Sequence, residues 1–308
     1  MVIDAHVHLV RPFDSRGRRQ LYTPNPASAE DYVATMDAAG IDRAFFISWS
    51  PADIPSDLAG KGIAPEDVRE TLSREYALEA LAAHRDRFHW FPCHLGPRVA
   101  DHVALARDAL RMGAAGLKLV LSFWGELPDD PRPMKLCGLA EEHGAQVIID
   151  TSFWYLGKEP PIDPDTLPAG HRKVARRVED FSDYLRHLAV PIERYPRVSF
   201  SLAHAGARMF TAEHALDVGD FIRRYPNVYA DLGALDTSLP ALDCLVEAAG
   251  ADRVMFGTDW PHFAQGPAMD ALIAAIRRPG RFAPRVAEAI LGENALAFVK
   301  GRAPGLRA

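Results

Sequence analysis

Cysteine is scarce in this sequence. Cys93, Cys137 and Cys244 stand far apart in a chain of 308 residues, which excludes a disulfide framework and any C-x-x-C metal site. They read as small buried hydrophobes in a reducing compartment. No apolar run approaches the ~18 residues that span a bilayer, so no membrane partner is expected. Met1 leads straight into Val-Ile-Asp-Ala-His, without the basic region and apolar stretch of a signal peptide; the expected location is the cytoplasm. An excess of one charge is lacking as well. The formal net charge is −6, which gives no electrostatic reason to bind nucleic acid. There is no low-complexity linker and no short-period repeat, so residues 1–308 are read as one domain.

What is present is an ordinary globular composition, 48% hydrophobic and 25% charged, which sets aside collagen-like, disordered and coiled-coil readings. Short runs rich in β-branched and aromatic residues recur along the chain. They are Val2–Leu9, Arg43–Ser48, Phe88–Leu95, Gly116–Leu121, Gln146–Thr151, Val198–Ala203, Val228–Leu232 and Val254–Thr258. Most are continuous apolar stretches, as in parallel strands covered on both faces. Helical periodicity lies between them: Ser28–Ala39 with Ser28 as N-cap and Gly40 as stop, then Leu72–His84, Asp101–Met112, Met134–His143, Asp180–Glu193, Asp217–Tyr225, Leu242–Ala249 and Ala268–Arg277. A last helix, Pro284–Val299, follows. This alternation predicts an α/β fold, a single (β/α)8 TIM barrel.

Many of the 24 prolines fall in three long segments after strands: Val10–Ala27, Trp49–Pro65 and Phe153–Glu179. In a barrel such loops cover the C-terminal face, where active sites are built. The third carries His171, Arg172, Lys173, Arg176 and Arg177, a basic cluster read either as a cover for an acidic substrate or as a solvated face.

The chemistry concentrates at strand ends. In Asp4-Ala5-His6-Val7-His8 strict alternation would put Asp4, His6 and His8 on one interior face. Two imidazoles so placed suit a metal ion, although two histidines on a strand are more often structural. Further titratable groups end other strands: Lys118, Asp150, His204, Asp231 and Asp259, with His94 and His262 as weaker candidates. A buried ionisable group is costly unless paired, hydrogen-bonded or metal-bound. Six such ends meeting at one mouth point to chemistry, with Asp231 the first candidate for a purely structural role. Trp49, Phe123, Trp124, Phe153, Trp154, Tyr155, Trp260 and Phe263 cluster just beyond the strands and would line a pocket for a planar or partly apolar substrate.

The Asp-x-His-x-His strand, His204 followed by Gly206, Gly-Thr-Asp259-Trp-Pro, and the closing Ile290-Leu291-Gly292-Glu293-Asn294-Ala295 resemble the amidohydrolase superfamily. The resemblance is to its amidohydrolase-related branch, which includes aminocarboxymuconate-semialdehyde decarboxylase and γ-resorcylate decarboxylase. It implies His6, His8 and Asp259 as metal ligands, with His204 as a proton-transfer or polarising group. The family commonly has a histidine ligand at the end of strand five. This chain has Asp150, which is expected to complete a two-His, two-carboxylate site. The expected cofactor is one divalent ion, Zn²⁺ first, with Mn²⁺ as the alternative that the harder donor set admits. Metal-free lactonases related to the branch keep similar residues, so a metal-free route stays open. A strand-four lysine is carbamylated in binuclear relatives, but with Asp150 in place Lys118 is expected to bind substrate as an ammonium. Arg208 would join it on a carboxylate, beside Trp124, Trp154 and Trp260.

Three readings follow. The first is a metal-dependent hydrolase of a small carboxylated or cyclic substrate, a lactone or amide, with Asp259 as base toward water. The second is a non-oxidative decarboxylase of an aromatic or unsaturated acid. The third is a catalytically silent binding barrel. The expected partner is a small carboxylated molecule, and a homo-oligomer packed through exterior helices follows from the resemblance.

Overall fold

The computed structural model describes residues 1–11, 27–48, 74–93, 101–151, 156, 162–204, 212–233, 240–261 and 266–301. Among these, eight strands run parallel: β1 (Ile3–Val7), β2 (Arg43–Ser48), β3 (Phe88–Pro92), β4 (Gly116–Leu119), β5 (Gln146–Asp150), β6 (Phe200–Ala203), β7 (Val228–Asp231) and β8 (Val254–Met255). They pair in sequence order as a three-stranded and a five-stranded sheet. Two seams join the sheets into a ring. Cys93 bridges to Lys118 between β3 and β4, and Val7 bridges to Trp260 beyond β8. The second seam is tied by Ala5 N–H to Phe256 O and His8 N–H to Trp260 O, both 2.8 Å. A parallel sheet that closes on itself has no edge and is buried on both faces, which is why its strands carry no polar stripe.

The helices outside the ring are α1 (Ala29–Ala39), α2 (Arg74–Ala83), α3 (His102–Arg111), α4 (Leu121–Trp124), α5 (Pro131–Glu142), α6 (Ala169–Ala175), α7 (Phe181–Arg194), α8 (Ala212–Arg224), α9 (Pro240–Ala249) and α10 (Gly266–Ile276). The last runs as α11 (Pro284–Glu288), a π-turn (Ala289–Glu293) and α12 (Asn294–Val299). Helix α1 starts as its sequence predicts: Ser28 and Asp31 form a capping box, and Gly40 ends it in the left-handed conformation at φ 69°. Several boundaries differ from expectation, among them the end of β8, which stops at Met255 rather than Thr258. Helix α5 begins at Pro131, where a proline in the first turn loses no intrahelical bond, rather than at Met134. Helix α8 begins at Ala212 rather than Asp217. Strand β4 stops at Leu119, and Leu121-Ser-Phe-Trp124 turns into α4, closed by Gly125 at φ 70°. No helix among the described residues is long and apolar enough to cross a membrane.

Two apolar layers result. The larger lies between strands and helices. A smaller one fills the lower interior of the ring with Ile3, Ala5, Phe45, Ile47, Phe91 and Tyr229 among others, joined by Phe298 of α12. The Phe298 ring lies 5.9 Å from Phe45, 6.1 Å from Phe91 and 5.5 Å from Tyr229, so the last helix plugs the barrel from below.

Candidate metal centre at the barrel mouth

Strand β1 does not alternate strictly. Its pairing with β2 shifts register between Asp4 and Val7, a bulge that changes which face later residues take. Ile3 and Ala5 point into the ring, and Asp4 points outward to the hydroxyl of Tyr32 on α1, 2.7 Å away. After the bulge His6 and His8 point inward. The expectation that Asp4 shares their face is therefore corrected. Asp4 is fully buried and accepts four hydrogen bonds: from Tyr32, from Thr258 Oγ1 at 2.6 Å, from Thr258 N–H at 3.0 Å and from His6 N–H at 3.1 Å. Burial pushes its carboxyl up to about 7 against the pull of these donors.

His6 and His8 are oriented from behind. His6 Nδ1 lies 3.2 Å from both carboxylate oxygens of Asp231, and His8 Nδ1 lies 3.0 Å from the Ile47 carbonyl. Those partners only accept, so each Nδ1 carries a proton and donates it, and each Nε2 keeps its lone pair. Both Nε2 atoms face Asp259 Oδ1, at 3.7 Å from His6 and 3.2 Å from His8. His6, His8 and Asp259 thus bring three ligand atoms within 4.8 Å of one another, all buried. Burial first, and then Lys118 and His204, hold His6 well below its usual range, in the neutral ligand form. Burial alone would raise Asp259, but the imidazoles of His204, His8 and His6 outweigh it and hold the carboxyl far below the usual range.

Backbone strain gathers here. His204 (φ 60°) and Asp259 (φ 55°) are the non-glycine residues with positive φ among the described residues; each costs about 1–2 kcal/mol relative to ordinary conformations. The strain is fixed by neighbours. The His204 N–H donates to Asp231 Oδ1 at 3.1 Å, and the Asp259 N–H donates to the His6 carbonyl at 2.8 Å. Asp231 also accepts from Gly233 N–H at 3.0 Å. A Cβ on Gly233 would come within 2.9 Å of Asp231 Oδ1 and of His204 Nδ1, and within 3.1 Å of His6 Nδ1. Glycine is required for this close approach.

Asp150, expected as a fourth ligand, is not brought into the close group. Its Oδ1 lies 3.8 Å from His204 Nε2, and its Oδ2 accepts from Ser122 Oγ at 3.4 Å. A carboxylate reaches less far than the imidazole Nε2 usual at that position. Lys118 does enter the mouth: it is 2% exposed, and its Nζ has no hydrogen-bond partner among the described residues. Trp124 ends α4 with a buried Nε1 that is likewise unpartnered among them. Trp260 does not line the mouth. It is 3% exposed and its ring lies 4.7 Å from Tyr32, in the layer between barrel and helices. Of the basic cluster, Arg177 forks onto Asp130 with two bonds of 2.7 Å, Arg176 pairs with Asp165, and His171 packs 5.3 Å from Phe123. Those two arginines pair with local carboxylates. Arg208, Trp154, His94, His262, Trp49, Phe153, Tyr155 and Phe263 lie outside the described residues.

The roles of Asp4, Tyr32, Thr258 and Gly233 escaped sequence reasoning, and Asp231 was taken for structure. The signal for Asp231 was present, an acid ending β7 at the height of the histidines. Nothing in the sequence tied Asp4 to Thr258.

The donor set fits a divalent ion. Two lone-pair imidazole nitrogens and a carboxylate oxygen repel one another unless a proton or cation sits among them. His6 Nε2 has no hydrogen-bond partner among the described residues. Oriented Nδ1–H donors with Nε2 facing the ion are the usual support of such sites.

Among curated proteins the sequence finds no match. Solved structures share its fold. An uncharacterised TIM-barrel protein from Bordetella bronchiseptica is 20% identical, with a TM-score of 0.63 over 98% of this chain and 99% of that one. A probable 2-pyrone-4,6-dicarboxylic acid hydrolase from Acinetobacter baumannii, with citric acid bound, is 14% identical, at 0.59 over 97% and 98%. A 5-carboxyvanillate decarboxylase from Novosphingobium aromaticivorans, with manganese and a nitrobenzoic acid bound, is 17% identical, at 0.59 over 88% and 80%. The neighbours thus include both a hydrolase and a decarboxylase, and the barrel is what they share with this chain. The sequence profile of the Amidohydrolase family matches residues 3–300, so the chain belongs to the amidohydrolase family.

Proposed function

We propose that the chain is a metal-dependent hydrolase of a small carboxylated or cyclic substrate, a lactone or an amide, acting as one barrel domain. The observation that carries this reading is the convergence of His6 Nε2, His8 Nε2 and Asp259 within 4.8 Å. His6, His8 and Asp259 would hold the ion, Zn²⁺ or, as in the Novosphingobium relative, Mn²⁺. A divalent cation there polarises the scissile carbonyl and makes water a better nucleophile at neutral pH. Asp259, whose carboxyl is held far below the usual range, takes the proton of the attacking water and returns it to the leaving group. His204 stabilises the charge that grows on the carbonyl oxygen. Lys118, a buried ammonium without a partner among the described residues, draws in the substrate carboxylate, with Arg208 joining it. Trp124 and Trp154 flank the ligand.

Decarboxylation of an aromatic or unsaturated acid is the second reading. It draws on His204 and Asp150, 3.8 Å apart, a pair able to hold a proton for delivery to carbon. Two measurements test the proposal. Elemental analysis of the purified protein is expected to find a stoichiometric divalent ion that is lost in His6→Ala. Incubation with lactones, amides and aromatic acids is expected to give cleaved product without CO₂. Release of CO₂ from an aromatic acid moves the protein to the second reading; a metal-free wild type with undiminished turnover overturns the metal dependence and points to the metal-free, lactonase-like route.

A further inference from the structure

Asp4 takes no part in the chemistry proposed above, yet its bonds connect the two segments that carry His6, His8 and Asp259. Oδ1 accepts two backbone N–H groups, of His6 (3.1 Å) and Thr258 (3.0 Å). Oδ2 accepts two hydroxyls, of Tyr32 (2.7 Å) and Thr258 (2.6 Å). Thr258 Oγ1 in turn accepts from Trp260 N–H at 3.1 Å, so both flanks of Asp259 are tied to the same carboxylate. The ligand-bearing backbones also bond directly, Asp259 N–H to His6 O at 2.8 Å. At the register shift in β1 the His6 N–H donates to Asp4, two residues away, and the Thr258 N–H, beside the left-handed Asp259, donates to the same oxygen.

We propose that Asp4 is a positioning residue for the metal centre, fixing the bulge that aims His6 and the turn that aims Asp259, with Tyr32 of α1 anchoring it from the helical layer. The proposal rests on the reading of His6, His8 and Asp259 as metal ligands. Geometry predicts which replacement preserves the function. In Asp4→Asn the amide oxygen can keep both backbone N–H groups at the Oδ1 position, and its NH₂ can donate to two hydroxyls, each free to rotate and accept. In Asp4→Leu, of similar shape, both N–H groups are left buried without an acceptor.

Titration of the metal-free full-length protein with Mn²⁺ or Zn²⁺ by calorimetry tests this, with no need of a substrate. Asp4→Leu is expected to weaken metal binding by roughly 10–100-fold and Asp4→Asn by no more than about threefold, the range seen when groups behind metal ligands are changed. Thr258→Val, which removes one donor to Asp4 and the acceptor of Trp260 N–H, is expected to fall between them, and serves if Asp4→Leu does not fold. Asn294→Ala is the control for plain destabilisation. It removes two buried bonds of 2.7 Å to Ala251 O and Val254 O, on α12 rather than at the mouth, and is expected to lower the melting temperature with unchanged metal affinity. Wild-type affinity in Asp4→Leu, equal loss in Asp4→Asn and Asp4→Leu, or equal loss in Asn294→Ala each overturns the positioning role. A wild type that binds no metal overturns the centre itself, and the inference with it.

Discussion

The lower and upper halves of the barrel interior are built by opposite rules. Below, Ile3, Phe45, Phe91, Tyr229 and Met255 close around Phe298, with ring centroids about 5–6 Å apart. Above, His6, His8, Lys118, Asp150, His204, Asp231 and Asp259 occupy equally buried positions. There His6 Nε2, Lys118 Nζ and His204 Nδ1 have no hydrogen-bond partner among the described residues, and two residues stand in left-handed backbone. The lower half gains free energy from every side chain it buries. The upper half spends some of it on unpaired polar atoms and strain that only a ligand relieves. The difference separates what folds the chain from what it does, and each half can be changed on its own.

The largest effect is expected at Asp259. In Asp259→Asn the side chain keeps its shape but loses the charge that accepts a proton, so kcat on a lactone, amide or acid substrate should drop at least ~10³-fold. Circular dichroism and melting should show a folded protein. Near wild-type turnover would remove Asp259 as base. Phe298→Ala is the converse experiment. Emptying the plug below should cost about 3–5 kcal/mol in urea unfolding, with metal affinity unchanged in the fraction that remains folded. A parallel loss of affinity would mean that the halves are coupled and the contrast is false.

Much of this contrast is legible in the sequence, because apolar strand runs and polar strand ends differ in composition. The β1 motif announces two histidines, and the acids and His204 announce themselves at strand ends. What fails to show is anything set by a break in periodicity. The bulge between Asp4 and Val7 inverts the face of Asp4, and no residue type marks it. The apolar run Gly116–Leu121 reads as strand to its end by composition, yet the strand stops at Leu119 and Leu121 opens α4. Trp260 follows Asp259 and is expected at the pocket, but the chain turns at Asp259, whose φ is positive, and the indole packs outward onto Tyr32. Contacts such as Asp4 to Thr258, 254 residues apart, belong to barrel closure and have no local signal. The arginines at positions 176 and 177 mislead in the opposite sense, since their charges are answered by Asp165 and Asp130.

Lys118 sharpens the comparison by placing the cost of function on one side chain. In Lys118→Met a side chain of similar length loses a buried ammonium that has no partner among the described residues. The metal-free protein should gain on the order of 1 kcal/mol or more, read as a higher melting temperature. Binding of a carboxylate-bearing ligand should weaken about 10–100-fold, the worth of a hydrogen bond to a charged group. A lower melting temperature would show that Lys118 already has a stabilising role, and that the upper half is not a reservoir of unfavourable burial.

The smallest effect tests whether the lower half is as inert as it looks. His89 on β3 sits edge-on to Phe45 at 5.9 Å. Burial, and after it the charge of Arg43, lowers its pKa from 6.5 to about 4. Because the folded value lies below the unfolded one, the unfolded chain binds a proton between about pH 6.5 and 4 that the folded chain refuses. Stability therefore falls as pH falls through that window. His6, also held well below 6.5, adds to the fall in the same direction from the upper half. His89→Gln removes only the lower contribution. In the metal-free protein it should flatten the loss of unfolding free energy between those pH values by on the order of 1 kcal/mol, leaving as remainder the fall due to His6 set against the opposing rise from Asp4, whose carboxyl is raised to about 7. Added metal should raise the stability across the window without flattening that remainder, since it too binds only the neutral imidazole of the folded state. An acid profile unchanged by His89→Gln would place all of the pH sensitivity in the mouth, and the division between the two halves would extend to their protons.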